Sequence, residues 1–141
     1  MPKLILLAPA QMITVDRETS LMSLMSILVG LDAQVTAEVP VNAISPMNWQ
    51  VATLYFREEG DADKEFDQRI RVFTPDRVPI IESATIFRMV SETHGVIAKI
   101  PGFPVGRSGV CTIEVEIKEH KEDTEWRKVG EYPLRLTHKT S

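Results

Sequence analysis

Apolar and polar residues alternate with a period of two along much of this chain. In the clearest segment, Cys111, Ile113, Val115 and Ile117 alternate with Thr112, Glu114, Glu116 and Lys118. Successive side chains of a β-strand point to opposite faces, so this alternation predicts a strand with one face in the core and the other in water. Similar patterns predict further strands over residues 4–13, 78–90, 95–100 and 126–136.

Two more strands are predicted over residues 49–57 and 66–74, on either side of the charged segment 58–65. We expect them to pair as a hairpin with Phe56 opposite Phe66, because the charged segment is typical of a solvated tip. One face of this hairpin is then mostly apolar. The other face carries Trp49, Tyr55, Arg69, Arg71 and Phe73.

Prolines are expected to break or bend the first strand at Pro9 and to interrupt the strands at two later places. The segment Pro101-Gly102-Phe103-Pro104 predicts a turn, since its proline and glycine positions favour turn conformations. Pro133 has no backbone N–H to donate. The strand over 126–136 is therefore predicted to lie at a sheet edge or to be bulged at Pro133.

Residues 20–29 fit two kinds of element. Their apolar residues follow a helical spacing, with Asp16, Thr19 or Ser20 as a cap and Gly30 as a stop. The same residues also fit a strand buried on both faces. We favour the strand, on the resemblance described below.

Seven to nine short strands with at most one short helix predict an all-β protein. The expected architecture is a two-sheet antiparallel β-sandwich, with a closed barrel as the alternative. A chain of 141 residues has the size of one domain and can bury a self-sufficient core. Residues 1–141 are therefore predicted to form a single domain.

Charge and cysteine content disfavour several classes of protein. The chain carries 16 Lys+Arg against 20 Asp+Glu, a formal net charge of −4, which disfavours binding to nucleic-acid phosphates. Its longest apolar run, residues 21–31, is too short to span a membrane, and the first residues lack the pattern of a secretory signal. The single cysteine, Cys111, has no disulfide partner within the chain, so we expect a cytoplasmic protein.

No residue pattern points to catalysis, a metal or a cofactor. The chain lacks the glycine-rich motifs that bind nucleotides and the G-x-S-x-G motif of serine hydrolases. Asp61, Asp63 and Glu65 alternate in the charged segment but lack the remaining ligands of a calcium loop, and we interpret them as part of a solvated tip. Cys111 falls on the apolar face of its strand and is interpreted as a core residue rather than a nucleophile.

The most informative constellation is the predicted face that carries Trp49, Tyr55, Arg69, Arg71 and Phe73. Aromatic rings interleaved with arginines on a sheet can stack on bases or sugars. We therefore expect these residues to be a candidate site for a sugar, a nucleotide or single-stranded nucleic acid. The alternative is a second core-facing surface, with the arginines paired to nearby carboxylates.

The stretch Ser20–Pro40, SLMSLMSILVGLDAQVTAEVP, resembles a signature of an uncharacterised family of small bacterial proteins. In that family an N-terminal strand is followed by a Leu-Ser-Leu-like strand, an aspartate or glycine turn, and a proline that opens the next strand. The resemblance also covers residues 4–13 and the approach from Pro101-Gly102 to Gly109. It implies an all-β sandwich and a strand over residues 21–29, and it brings no assigned activity.

The sequence therefore predicts a non-enzymatic binding or assembly module of a bacterial cytoplasmic system. Exposed sheet edges are often covered by self-association, so a homodimer or another protein partner is expected. Two alternatives stay open at this point. One is the small-ligand domain described above, and the other is an enzyme whose site combines distant residues, such as His94 with carboxylates.

Overall fold

The computed structural model describes residues 1–35 and 38–140, and these ranges contain strands, turns and loops but no helix. The predicted all-β class is confirmed. Within the same ranges there is accordingly no helix with the length and apolar character needed to cross a membrane. The described strands are β1 (Lys3–Val15), β2 (Met22–Ile27), β3 (Gly30–Val35), β4 (Ile44–Phe56), β5 (Glu65–Phe73), β6 (Pro79–Arg88), β7 (Thr93–Pro104), β8 (Gly109–Glu119) and β9 (Arg127–Thr140).

The strands form two sheets. One sheet has four strands in the order β2-β1-β4-β7, and the other has five in the order β3-β9-β8-β5-β6. The described pairs are antiparallel except for β3 and β9, which run parallel. The predicted two-sheet sandwich is confirmed, with one parallel pair at an edge of the larger sheet.

The main core lies between the two sheets and follows from the alternation along the strands. On β8, Cys111, Ile113 and Val115 are completely buried. They form one apolar cluster with residues of the opposite sheet, among them Val51 on β4 and Ile100 on β7. Each fully buried side chain of this size contributes about 1.5–3 kcal/mol relative to an exposed one. The strand predicted from the alternation at residues 111–118 is thus confirmed.

The predicted hairpin between residues 49–57 and 66–74 is wrong. Both segments form strands, but β4 pairs with β1 and β7 in one sheet, whereas β5 pairs with β6 and β8 in the other. The charged segment between them crosses from one sheet to the other. Strands that face each other across a core show the same alternation as strands that pair within a sheet, so the pattern did not distinguish the two arrangements.

Residues 20–29 contain a strand, as favoured from the sequence. β2 pairs antiparallel with the second half of β1, and the two form what we call the β1–β2 hairpin, residues 10–27. Asp16 caps no helix there. Its Oδ1 accepts hydrogen bonds from the N–H groups of Glu18 and Thr19 at 2.9 and 2.8 Å, which shapes the turn between the two strands.

One side of the β1–β2 hairpin packs on the outer face of the four-stranded sheet. Ala52 on β4 points to that outer face, because its neighbour Val51 points into the core. Ile13 is buried with Ala52, and Met22 and Leu24 pack against them. This side of the hairpin therefore encloses a small second apolar cluster.

The turn prediction is wrong, whereas Pro133 lies where β9 has a single described neighbour. Residues 101–104 continue β7 instead of forming a turn, and β7 tolerates these prolines because it is the edge strand of its sheet. Pro133 lies in β9, which is between β8 and β3 in the sheet order, and the bulge in β9 falls at Val129, between the pairs Val115–Gly130 and Glu116–Lys128. However, β3 pairs only with Arg135–Thr140 of β9. Next to Pro133, the described part of β9 pairs with β8 alone. The backbone N–H group that proline lacks is therefore not needed for a hydrogen bond to β3.

Candidate functional site

The structure separates the residues that were predicted to share one ligand-binding face. Trp49 and Tyr55 on β4 are 1% and 0% exposed, inside the core between the sheets. Arg69, Arg71 and Phe73 on β5 point to the outer face of the five-stranded sheet, because the residues between them face the core. The predicted common face is therefore wrong, since it depended on pairing β4 with β5.

Trp49 is a structural anchor of the core. Its Nε1 donates a hydrogen bond of 2.6 Å to the carbonyl oxygen of Gly102 on β7. Its ring lies against Phe103, with the two ring centroids 5.5 Å apart. A buried indole needs such an acceptor for its N–H group. The side chain thus serves the packing of β4 against β7 and is not accessible to a ligand.

Tyr55 belongs to a buried polar group that joins the two sheets. Its hydroxyl and that of Thr53 each donate a hydrogen bond of 2.6 Å to Oε1 of Gln68 on β5. Burial raises the pKa of Tyr55 well above its usual range, so the phenol stays protonated and keeps its role as a donor. Because Tyr55 and Thr53 are on one sheet and Gln68 is on the other, these bonds fix how the sheets face each other.

The outer face of the five-stranded sheet carries paired charges. Glu116 on β8 accepts a hydrogen bond from Nη2 of Arg69 at 2.9 Å, and Nη2 of Arg71 lies 2.6 Å from its other oxygen. Glu114 on the same strand accepts a hydrogen bond from Arg77 at 2.5 Å. We call these five side chains the arginine face. Since each arginine has a carboxylate partner, little of their charge is left to attract a phosphate.

Aromatic rings complete the arginine face. Phe73 has Arg77 Cζ 4.4 Å and Arg71 Cζ 5.1 Å from its ring centroid. Trp126, from the loop between β8 and β9, has Arg69 Cζ 4.4 Å from its centroid. The interleaved arginines and aromatics expected from the sequence do occur here, with Trp126 in the position that had been assigned to Trp49. Trp126 was missed because no periodic pattern relates a residue of this loop to β5.

Glu116 is the most constrained carboxylate of the arginine face. Burial works to raise its pKa, but the hydrogen bond and charge of Arg69, together with Arg71, outweigh burial and lower the pKa from its usual 4.5. The ionised form is therefore the one that the folded protein favours. Nε of Arg69 and Nε of Arg71 are buried without a hydrogen-bond partner among the described residues. The carboxylate of Glu116 is therefore the main group that offsets the cost of burying these two side chains.

We expect Glu116→Gln to destabilise the protein by about 1.5–3 kcal/mol at neutral pH, the contribution of hydrogen bonds to charged groups. A carboxyl whose folded pKa is lowered stabilises the protein above its unfolded pKa, and this contribution is lost as the pH falls through the folded value. The stability gap between wild type and variant should therefore shrink below pH 4.5, the usual pKa. Urea unfolding across this pH range measures it.

Glu82 provides the matched control for that experiment. Its side chain is more exposed, and its Oε1 lies 4.0 Å from Arg69 Nε, so Glu82→Gln removes a charge beside the same arginine without removing a short hydrogen bond. We expect only a small loss of stability for this variant. A gap between wild type and Glu116→Gln that does not change with pH would contradict the role of the Glu116 carboxylate.

Cys111 and His94 lie in apolar surroundings. Burial raises the pKa of the Cys111 thiol to about 11, so it is not a thiolate at neutral pH. His94 stacks on Phe87 with the ring centroids 5.4 Å apart, and burial lowers its pKa. It thus contacts an aromatic ring instead of the carboxylate that the enzyme alternative requires. In residues 1–35 and 38–140, no three His, Cys, Asp or Glu side chains are grouped to hold a metal ion.

The charged segment between β4 and β5 is only partly a solvated tip. Asp61 is 3% exposed, and its Oδ2 accepts a hydrogen bond of 3.0 Å from the N–H group of Glu58. The backbone N–H of Asp63 donates to the carbonyl oxygen of Met89 at 2.9 Å. This segment is therefore attached to the end of the sandwich where it crosses between the sheets.

A second unusual surface lies on the β1–β2 hairpin. Met12 and Met25 point away from its packed residues, whereas Val15 pairs with the packed Met22 and lies at the margin of the packed side. The large exposed apolar side chains of the hairpin, together with that of Val29 shortly after it, are between 49% and 84% exposed. We call these side chains the apolar face: Met12, Val15, Leu21, Met25, Ile27 and Val29. Met12 and Met25 are cross-strand partners, and residues 10–15 and 21–31 contain no charged side chain. A patch of this kind is typical of an interaction surface.

Comparison with known proteins adds no relative to these observations, because no protein-family model and no curated protein matches the chain. Functional inference therefore depends on the chemistry of its two outer surfaces, the arginine face and the apolar face.

Proposed function

We propose that this protein is a non-enzymatic binding module that assembles with a second copy of itself through the apolar face. The observation that carries the proposal is the concentration of exposed large apolar side chains on the two uncharged strand segments of one hairpin, residues 10–15 and 21–27. Monomeric proteins rarely leave a large contiguous apolar patch uncovered, because burying it in an interface is favourable.

The absence of charge on the apolar face favours a second copy as its occupant. A partner must be apolar and uncharged where it touches Met12 and Met25, because a buried charge without a counterion is costly. An identical face meets this condition, since a two-fold dimer places the same patch on both sides of the interface. The flexible methionine side chains also let two such faces adapt to each other.

The position of β2 supports the same proposal. β2 is the edge strand of the four-stranded sheet and, within the described ranges, it pairs with β1 alone. Its sequence, MSLMSI, lacks the lysine, proline or carboxylate that usually protects an exposed edge from pairing with another chain. Backbone groups along this edge are therefore available beside the apolar side chains.

Met25→Glu tests this proposal, because it places a charge in the middle of the apolar face. We expect wild-type protein to sediment with twice the chain mass of 15.9 kDa and the variant to sediment as a monomer. Analytical ultracentrifugation over a range of concentrations makes the measurement. Met25 is 50% exposed in the single chain, so the substitution should leave the fold and its melting temperature nearly unchanged.

Val110→Glu is the matched control, since Val110 is a 39% exposed apolar residue on the five-stranded sheet. This variant is expected to remain dimeric. A wild-type protein that stays monomeric at high concentration would overturn the proposal, and so would a dimer that Met25→Glu leaves intact. Binding of the wild-type monomer to lipid vesicles would instead identify a membrane as the occupant of the apolar face.

A further inference from the structure

A groove of about 450 Å³ lies on the outer face of the five-stranded sheet, away from the apolar face. Its lining consists of Asp67, Ala84, Thr85, Ile86, His120 and Trp126. We call it the Trp126 groove, and we infer that it binds a neutral sugar ring. This inference is independent of self-association, because the two surfaces lie on different sheets.

Trp126 is held against the sheet in the unbound protein. Arg69 Cζ lies 4.4 Å and Lys118 Nζ lies 5.2 Å from the centroid of its indole ring. These two cations project from β5 and β8, which are neighbours in the sheet, so the ring lies over the sheet instead of extending from its loop. Because the ring is already positioned, little conformational freedom is lost when a ligand stacks against its accessible part.

Polar groups adjoin the aromatic ring in the groove. Nδ1 of His120 lies 2.7 Å from Oδ1 of Asp67, and Asp67 Oδ2 is 3.9 Å from Nζ of Lys118. Since Nδ1 is engaged by Asp67, Nε2 is the nitrogen of this half-exposed imidazole that is left to contact a ligand. The groove thus combines a carboxylate, which accepts hydrogen bonds from hydroxyl groups, with an imidazole nitrogen beside an apolar surface.

These features match a sugar better than an anionic ligand. The C–H face of a sugar ring packs on the electron-rich face of an aromatic ring and on apolar side chains such as Ile86 and Ala84, while its hydroxyl groups bond to the carboxylate. A phosphate would be repelled by Asp67. It would also find Arg69 already engaged by Glu116.

The test uses neutral oligosaccharides of glucose, mannose, galactose and N-acetylglucosamine as probes, at millimolar concentration, with isothermal titration calorimetry and tryptophan fluorescence. We expect at least one of them to bind and to change the fluorescence of the partly buried Trp126, while Trp49 stays fully buried. Trp126→Ala should weaken that binding by at least about tenfold, as removal of a stacking aromatic does in other open sites.

Phe56→Ala is the matched control, because Phe56 is a 38% exposed aromatic residue on the four-stranded sheet, and we expect it to bind like wild type. Trp126→Phe should retain part of the affinity, which separates loss of stacking from loss of folding. Absence of binding by all four classes of sugar would overturn the inference, as would full affinity in Trp126→Ala. Binding of oligothymidylate in place of sugars, weakened by salt, would show that the ligand class is wrong.

Discussion

Trp49→Ala is expected to destabilise the protein by about 3–5 kcal/mol, the usual cost of removing a buried aromatic side chain from a core. The substitution removes the ring that packs beside Phe103 and leaves the carbonyl oxygen of Gly102 without its donor. Since a domain has only about 5–15 kcal/mol of total stability, much of it should be lost. Urea unfolding monitored by circular dichroism measures this difference.

Two further substitutions sharpen the test. Trp49→Phe keeps most of the packing but loses the N–H group, so its cost should fall between those of wild type and Trp49→Ala. Trp126→Ala removes the same type of residue from a partly buried position in a surface loop, and we expect it to cost much less stability. Equal losses for Trp49→Ala and Trp126→Ala would contradict the assignment of Trp49 to the core.

A second large effect is expected from Gly106→Ala. A Cβ atom at this buried glycine would lie 2.0 Å from the carbonyl oxygen of Val41 and 2.4 Å from that of Pro40. Both are backbone atoms and cannot rotate away, so the loop before β4 would have to move from the segment after β7. We expect a loss of about 3 kcal/mol or more, at the upper end for overpacked sites, measured as a lower midpoint of urea unfolding.

Gly30→Ala controls for the general effect of replacing a glycine. The nearest atom to a Cβ at Gly30 is the carbonyl oxygen of Arg135 at 3.6 Å, an ordinary contact. A change of less than about 1 kcal/mol is expected there, as for most exposed positions. If Gly106→Ala were tolerated equally well, the close approach of the two loops would not be a constraint on the fold.

The parts of the fold that sequence reasoning predicted correctly are those that depend on a single strand. Alternation placed Cys111 and Ile113 in the core, and the structure buries both completely. Residues 20–29 were favoured as a strand, and β2 covers Met22–Ile27. For Cys111 and Ile113 the information is local, because neighbouring side chains of a strand necessarily point to opposite faces. For residues 20–29 the local pattern also fitted a helix, and the strand was favoured on the family resemblance.

The candidate sites required information that is not local. Arg69 and Trp126 are distant in sequence and meet only because β5 pairs with β8 and β8 continues through its loop into β9. The apolar face likewise exists because one side of the β1–β2 hairpin packs on Ala52, which leaves the other side exposed. From sequence alone, its apolar residues were read as a strand buried on both faces.

Local alternation in this chain was therefore sufficient to predict the all-β class, the position of most strands and the core-facing side of β8. It did not predict the core-facing side of β4, because Trp49 and Tyr55, placed on the ligand face, are the buried residues of that strand. It was not sufficient to predict which strands are neighbours, and that choice separated Trp49 from Arg71 and brought Trp126 to Arg69. The physical reason is that period-two alternation results from burial against any apolar layer. A strand in the same sheet and a strand across the core satisfy it equally, so only the packing of the whole chain distinguishes them.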